Sequence, residues 1–271
     1  MTTIRQLYIG DKYCTRINVP GVYDSLNGRR GIPRFEKFKT SYDVPELNEL
    51  IPKVIHFIWI GSPLPYKYVV NMQTFVATNK KNGYSFKLWV DHETPPIQDI
   101  IIQDIRTDFP AEKFINKEIY DIETNWSSKA DILKYEIIYQ EGGICSDVDA
   151  ISVKAYDSIF EKAFVCYTGE PYNDVCSGFF GFPARSRFLK YLIECLQEVR
   201  TYSFDYTQFD TKIRVCLLTG PILFTQCFQF YNDPTILMIN QDIIVLNKNN
   251  SDAYSYHTFD SLLPTGWHNQ K

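Results

Sequence analysis

The chain has 271 residues, 45% of them apolar, enough to bury the core of one large or two small domains. A formal net charge of −4 argues against a dedicated nucleic-acid binder, whose surface would carry a basic face. Seven cysteines, an odd count without CxxC spacing, argue against zinc and thioredoxin-type sites and suit buried thiols in a reducing compartment.

Residues 1–45 hold the turn signals Pro20-Gly21, Asn27-Gly28, Arg30-Gly31 and Ile32-Pro33 with little periodicity. They are expected to form an irregular extension packed on a main domain of residues 46–271. The N-terminus lacks a secretory apolar core, and no apolar run approaches the ~18–20 residues that cross a bilayer. A soluble, cytoplasmic protein without a transmembrane segment is the expectation.

Residues 53–60 are rich in Val and Ile between Pro52 and Gly61, which predicts a buried strand. Ser62-Pro63 then offers the cap of a helix running to residue 79. A second strand is expected at 85–90, and two helical pieces over 97–119, split near Pro110. From 128 to 141, Ala130, Leu133, Ile137 and Ile138 form the apolar stripe of a helix that Gly142-Gly143 stops. Strands follow at 144–148, 163–167, 179–182, 236–239 and 243–246, with helices at 187–199 and 221–231 and a polar loop at 201–211. Strands alternating with helices argue for an α/β sheet, mostly parallel.

The stretch 127–149 is the densest in chemistry. Asp147 and Asp149 flank Val148 at the end of an expected strand, where side chains two residues apart point the same way. Such carboxylates repel unless a cation lies between them, and hard oxygen ligands favour Mg²⁺ or Mn²⁺ with substrate phosphates. A solvated turn is the competing reading. Ser128-Lys-Ala-Asp131 matches a capping box, so Asp131 is either a helix cap or a residue facing a ligand, and Lys134 can share its face. Trp59 falls at a strand's C-terminal end, where open α/β sheets bind ligands, though a core Trp would look the same. His56, inside that strand, reads as a core residue. Glu170 and Asp174 follow the 163–167 strand and are polar candidates for contact with a ligand at that strand's end.

Asp131-Ile-Leu-Lys-Tyr135 followed by Gly142-Gly-Ile-Cys-Ser-Asp-Val-Asp149 resembles the sugar-nucleotide site of the Asp-x-Asp glycosyltransferases. That family includes the yeast-type initiating α-mannosyltransferases and, distantly, the clostridial glucosylating toxins. Ile51-Pro-Lys-Val-Ile-His-Phe-Ile-Trp-Ile-Gly61 and Phe86-Lys-Leu-Trp-Val-Asp91 resemble its first two strands. Thr219-Gly-Pro221 resembles a motif before a late helix, and Tyr256-His257 with Trp267 resembles its closing segment. The likeness keeps the family's order.

The resemblance implies a GT-A type, Rossmann-like mixed sheet flanked by helices. It implies metal-dependent, retaining transfer of a hexose from a nucleotide-diphosphate sugar to the hydroxyl of a glycan or other acceptor, UDP-hexose being favoured and GDP-mannose next. By the same resemblance Asp147, Asp149 and His257 hold Mn²⁺ or Mg²⁺, and Trp59 stacks on the base. Asp131 contacts ribose or sugar hydroxyls, Lys134 holds a phosphate or sugar, and Trp267 caps the diphosphate. Two positions depart from the family pattern: Lys134 stands where Arg, with its rigid fork, is usual, and Cys176-Ser177 where an Asn is common. A non-catalytic sugar-nucleotide or glycan-binding module is the alternative, followed by a phosphohydrolase using Asp147 as nucleophile.

Overall fold

Val54–Trp59 forms the central strand β1, whose near-continuous apolar run is buried on both faces, as interior parallel strands are. The computed structural model describes residues 49–167, 174–200, 207, 211–231, 233, 235–240, 253–258 and 260. β1 pairs in parallel with β2 (Ser85–Val90) on one side and β4 (Gly143–Ser146) on the other. β3 (Ile101–Asp104) extends the parallel half beyond β2. On the far side of β4, β7 (Val175–Phe182) runs antiparallel to both β4 and β6 (Phe164–Tyr167), and β8 (Leu237–Asn240) lies parallel to β6. The result is a mixed seven-stranded sheet in the order β3-β2-β1-β4-β7-β6-β8, with a separate pair, β5 (Ala150–Ser152) and β9 (Ser255–His257), antiparallel to each other.

Strand alternation sends β1 side chains to two different cores. Ile55, Phe57 and Trp59 join Met72, Phe75 and Val76 of α1 (Tyr66–Asn79), while Ile58 joins the opposite cluster. After the short α2 (Ile105–Asp108) and α3 (Lys117–Ile122), that opposite cluster is built on α4 (Trp126–Glu141), α5 (Arg187–Val199) and α7 (Pro221–Tyr231), with α6 (Thr211–Leu218) beside them. Phe188 and Phe224 are fully buried there, each contributing roughly 1.5–3 kcal/mol of burial. The α4–β4 junction needs both its glycines. Gly142 and Gly143 have φ of 68° and 111°, and a Cβ would lie 2.6 Å from the Ala184 nitrogen or 2.7 Å from the Val54 oxygen.

Several elements differ from the sequence expectation. Within the helical stretch expected from residue 97, Ile101–Asp104 is instead the parallel edge strand β3, whose pairing with β2 overrides the weak local signal of a four-residue segment. Helix α1 begins at Tyr66 behind Pro65, not at Ser62. Asn125, not Ser128, caps α4, its side chain accepting from the Ser128 N–H. β7 starts at Val175, earlier than 179, and α6 and the β5–β9 pair were not foreseen. Among the described residues one stretch, Thr211–Tyr231, is long and apolar enough to cross a membrane, contrary to the expectation of none. It is two helices broken at Thr219-Gly220 and mostly buried in the fold, which accounts for its apolar character. The expected extension over 1–45 and the strand at 243–246 lie outside the described residues.

Candidate active site

β4 stops at Ser146, and the chain turns at once: the Ala150 N–H donates to the Asp147 oxygen at 3.2 Å, and the Asp147 N–H to the Gly178 oxygen at 2.8 Å. Asp147 and Asp149 therefore lie in a tight turn, not on the extended strand expected of them. Their carboxylates converge all the same, because the turn feeds β5 into its pairing with β9. The register Ala150↔His257 brings the imidazole over the turn. His257 Nε2 lies 3.3 Å from Asp147 Oδ2 and 3.0 Å from Asp149 Oδ1. One ligand atom from each of the three residues falls within 4.8 Å of the others. The Asp149 carboxylate also accepts from the Asp260 N–H at 3.0 Å, which fixes its rotation.

Helix α4 supplies the cation. Lys134 Nζ donates to Asp131 Oδ1 at 3.2 Å and pairs with Asp147 Oδ1 at 2.7 Å. Asp131 lies beyond the first helical turn and is no cap; its other oxygen accepts from the Thr219 hydroxyl at 3.3 Å. Thr219-Gly-Pro221, at the α6–α7 break, thus meets the site through Asp131.

Burial and charge oppose one another throughout this cluster. Burial pushes Asp131 up to about 6, against the pull of Lys134. Burial would raise Asp147 too, but Lys134 and His257 outweigh it and hold the carboxyl well below its usual range. For His257 burial lowers and Asp149 and Asp147 raise, with the carboxylates winning at about 10. The imidazole is thus held as a cation where a metal ion would also be held. Two carboxylates and one imidazole, converging and deprotonated once a metal displaces that proton, fit Mn²⁺ well; Mg²⁺ is suited by the carboxylates alone.

Gly178 makes room for this geometry. A Cβ there would lie 2.3 Å from Asp147 Oδ2. Sequence reasoning missed it, although a glycine inside a strand is a known signal of close approach. Cys176, two residues earlier, is pushed up to about 12 by burial and Asp147, so it stays a thiol.

The remaining candidates fall out differently. Trp59 ends β1 as expected, but it is only 8% exposed. Its indole N–H donates to the Ser62 oxygen at 2.8 Å and its ring lies 4.9 Å from that of Tyr68. Two residues on, Gly61 has φ +83°, its N–H is held by the Asp91 carboxylate, and the Trp126 ring lies where a Cβ would go. Asp174 stands just ahead of β7, partly buried. Glu170 and Trp267 lie outside the described residues. His56 is a core residue: the Trp89 indole donates to its Nδ1 at 3.1 Å, so Nε2 carries the proton and donates to the Gly142 oxygen at 3.0 Å.

Residues 65–165 match the family described as "Glycosyltransferase sugar-binding region containing DXD motif". Over this stretch the chain is similar to the DXD sugar-binding region of glycosyltransferases. The stretch holds Asp131, Lys134, Asp147 and Asp149, while His257 reaches the DXD turn from outside the matched residues, where Trp59 also lies. Inositol phosphoceramide mannosyltransferase 3 of Schizosaccharomyces pombe is 26% identical over 173 residues, which is 64% of this chain and 43% of that protein. Subversion of eukaryotic traffic protein A of Legionella pneumophila is 31% identical over 114 residues, 37% of this chain and 17% of that protein. The chain thus spans less than half the length of either relative. Among solved structures, the PaToxG glycosyltransferase aligns with a TM-score of 0.54 at 19% identity, covering 78% of both chains. The UDP-bound glycosyltransferase domain of the YGT toxin aligns at 0.53 and 10% identity, covering 70% of this chain and 80% of that one. The mixed sheet around the DXD turn is therefore a GT-A type fold.

Proposed function

We propose that this protein is a metal-dependent, retaining glycosyltransferase that moves a hexose from a nucleotide-diphosphate sugar to a hydroxyl of a glycan or other acceptor. The observation that carries this reading is the convergence of Asp147, Asp149 and His257 within 4.8 Å, beside the buried cation of Lys134. In the transfer, the bond between the anomeric carbon and the diphosphate oxygen breaks and its electron pair leaves with the diphosphate. The acceptor oxygen bonds the anomeric carbon, and its proton passes to the departing oxygen or to water.

Asp147, Asp149 and His257 would hold a divalent cation, Mn²⁺ or Mg²⁺, which when bound offsets the charge gathering on the leaving diphosphate. Lys134, 2.7 Å from Asp147 Oδ1, adds a fixed positive charge beside those ligands. Asp131, ionised by its contact with Lys134, accepts hydrogen bonds from ribose or sugar hydroxyls. Trp59 stacks on the base, Trp267 closes over the diphosphate, and Glu170 and Asp174 contact the sugar or acceptor. A UDP-hexose is the favoured donor, supported by the likeness to a UDP-bound toxin domain. GDP-mannose comes next, supported by the relatives named mannosyltransferases.

One observation favours a second reading, a sugar-nucleotide-binding module without turnover: Lys134 already neutralises Asp147 without a metal. A thermal-shift screen of UDP- and GDP-sugars with and without Mn²⁺ tests the proposal. A donor at 100 times its Kd adds ~2.7 kcal/mol of stability. A Mn²⁺-dependent shift with a UDP-hexose is expected, and no shift with any nucleotide sugar would refute the reading.

A further inference from the structure

Helix α1 sends Met72, Phe75 and Val76 into the core, yet a row of polar side chains runs beside them: Asn71, Thr74, Thr78 and Asn79. Their spacing puts them along one side of the helix. Such a row is usually a solvated face. Here Thr74, Thr78 and Asn79 instead grip the segment that leaves the DXD turn. Thr74 Oγ1 accepts from the Ser152 N–H at 2.8 Å, and Thr78 Oγ1 shares a hydrogen bond with Ser152 Oγ at 2.8 Å. Asn79 Oδ1 accepts from the Tyr156 N–H at 2.7 Å.

Asn71 does something different. Its Nδ2 donates to the carbonyl oxygen of Val148 at 3.0 Å, and Val148 is the residue between the two aspartates. The neighbouring carbonyls are held as well. Asp147 O accepts from the Ser146 hydroxyl and the Ala150 N–H, and Asp149 O from the N–H and hydroxyl of Thr258. Three consecutive carbonyls are thus pinned from three directions, and only Asn71 holds the middle one from the helix that follows β1. Rotating the 148–149 peptide would swing Asp149 relative to Asp147 and open the 4.8 Å cluster.

We propose that Asn71 is a positioning residue for the cation site, setting through the Val148 carbonyl the angle between the two carboxylates. The proposal rests on the reading of Asp147 and Asp149 as metal ligands. Thr74, Thr78 and Asn79 anchor β5 and the segment after it, and they serve stability; Asn71 serves geometry. Because α1 follows directly on β1, the same helix ties the strand end that carries Trp59 to the turn that carries the metal ligands.

The test compares Asn71→Leu and Asn71→Ala with Thr74→Val, using Mn²⁺ titration followed by electron paramagnetic resonance and melting of the metal-free protein. Loss of a partner behind metal ligands typically weakens metal affinity about 10–100-fold. Both Asn71 variants should weaken Mn²⁺ binding at least about tenfold while melting close to wild type, and the shorter Ala keeps the test valid should Leu not fold. Thr74→Val should lower the melting temperature and leave Mn²⁺ affinity near wild type. Asn71→His, which keeps an N–H donor, should recover part of the affinity. Unchanged Mn²⁺ binding in the Asn71 variants, or an equal loss in Thr74→Val, would overturn the proposal. A wild-type protein that binds no Mn²⁺ would overturn the metal reading itself, a distinguishable result.

Discussion

Lys134 Nζ lies 2.7 Å from Asp147 Oδ1, so a helix cation already neutralises the first aspartate of the DXD turn. The Lys134 and Asp131 side chains are each 9% exposed and that of Asp147 28%. Removing one member of a buried pair strands the other, at about 3–5 kcal/mol, with a discount where water reaches the partner. Lys134→Met should therefore cost roughly 2–4 kcal/mol in urea unfolding without metal. Added Mn²⁺ should restore part of the loss, since a bound cation takes over the neutralisation of Asp147. An unchanged midpoint, or a loss that Mn²⁺ leaves untouched, would separate Lys134 from the metal site.

Trp59 is packed against Tyr68 with little exposure, so its ring must serve the core and any stacked base at once. Trp59→Leu keeps apolar bulk and removes the platform. UDP affinity, measured by titration calorimetry with Mn²⁺ present, should fall by about 1–3 kcal/mol, the range for base–aromatic stacking. Unaltered affinity in the folded variant would make Trp59 a core residue alone.

Gly178→Ala places a methyl group where Asp147 Oδ2 now sits, at 2.3 Å. The carboxylate must rotate away, while β7 keeps its ladder to β4. Mn²⁺ binding should weaken about tenfold or more, with circular dichroism unchanged. Retained Mn²⁺ affinity would show that the Asp147 rotamer does not matter for the metal.

His56 supplies a pH test away from the site. Burial, helped by Lys87, pushes it down to about 3 from an ordinary 6.5. The unfolded chain then binds more protons than the folded one between those values. Stability from the neutral ring is complete above pH 6.5 and is lost as pH falls towards 3, by up to ~1.4 kcal/mol per pH unit. The stability difference between wild type and His56→Gln should therefore shrink as pH falls from 7 to about 5. A difference independent of pH over that window would contradict the buried neutral assignment.

Much of the fold was legible because it is written locally. Strand β1 lies between Pro52 and Gly61, α4 ends at a glycine pair, and α5 and α7 begin and end where their patterns do. What escaped depends on distant partners. Ile101–Asp104 is a strand only because β2 offers a free edge, and the α1 polar row looks solvated until Val148, Ser152 and Tyr156 are placed against it. The carboxylate pair was recognised, but for an incomplete reason: a turn rather than strand alternation aims it. The arrival of His257 followed from resemblance alone, since no local pattern announces that β9 pairs with β5.

The proposed metal-dependent transfer depends on Asp147, Asp149 and His257 holding the cation together. Its most direct test is hydrolysis of UDP-hexoses and GDP-mannose, followed by nucleotide release with Mn²⁺, with EDTA, and in Asp149→Asn. Turnover with Mn²⁺ is expected, with suppression by EDTA and a loss of roughly 10²-fold or more in Asp149→Asn, in line with the removal of a transition-state charge partner. Full turnover in EDTA with metal shown absent, or an Asp149→Asn protein of near-normal rate, would contradict the proposal.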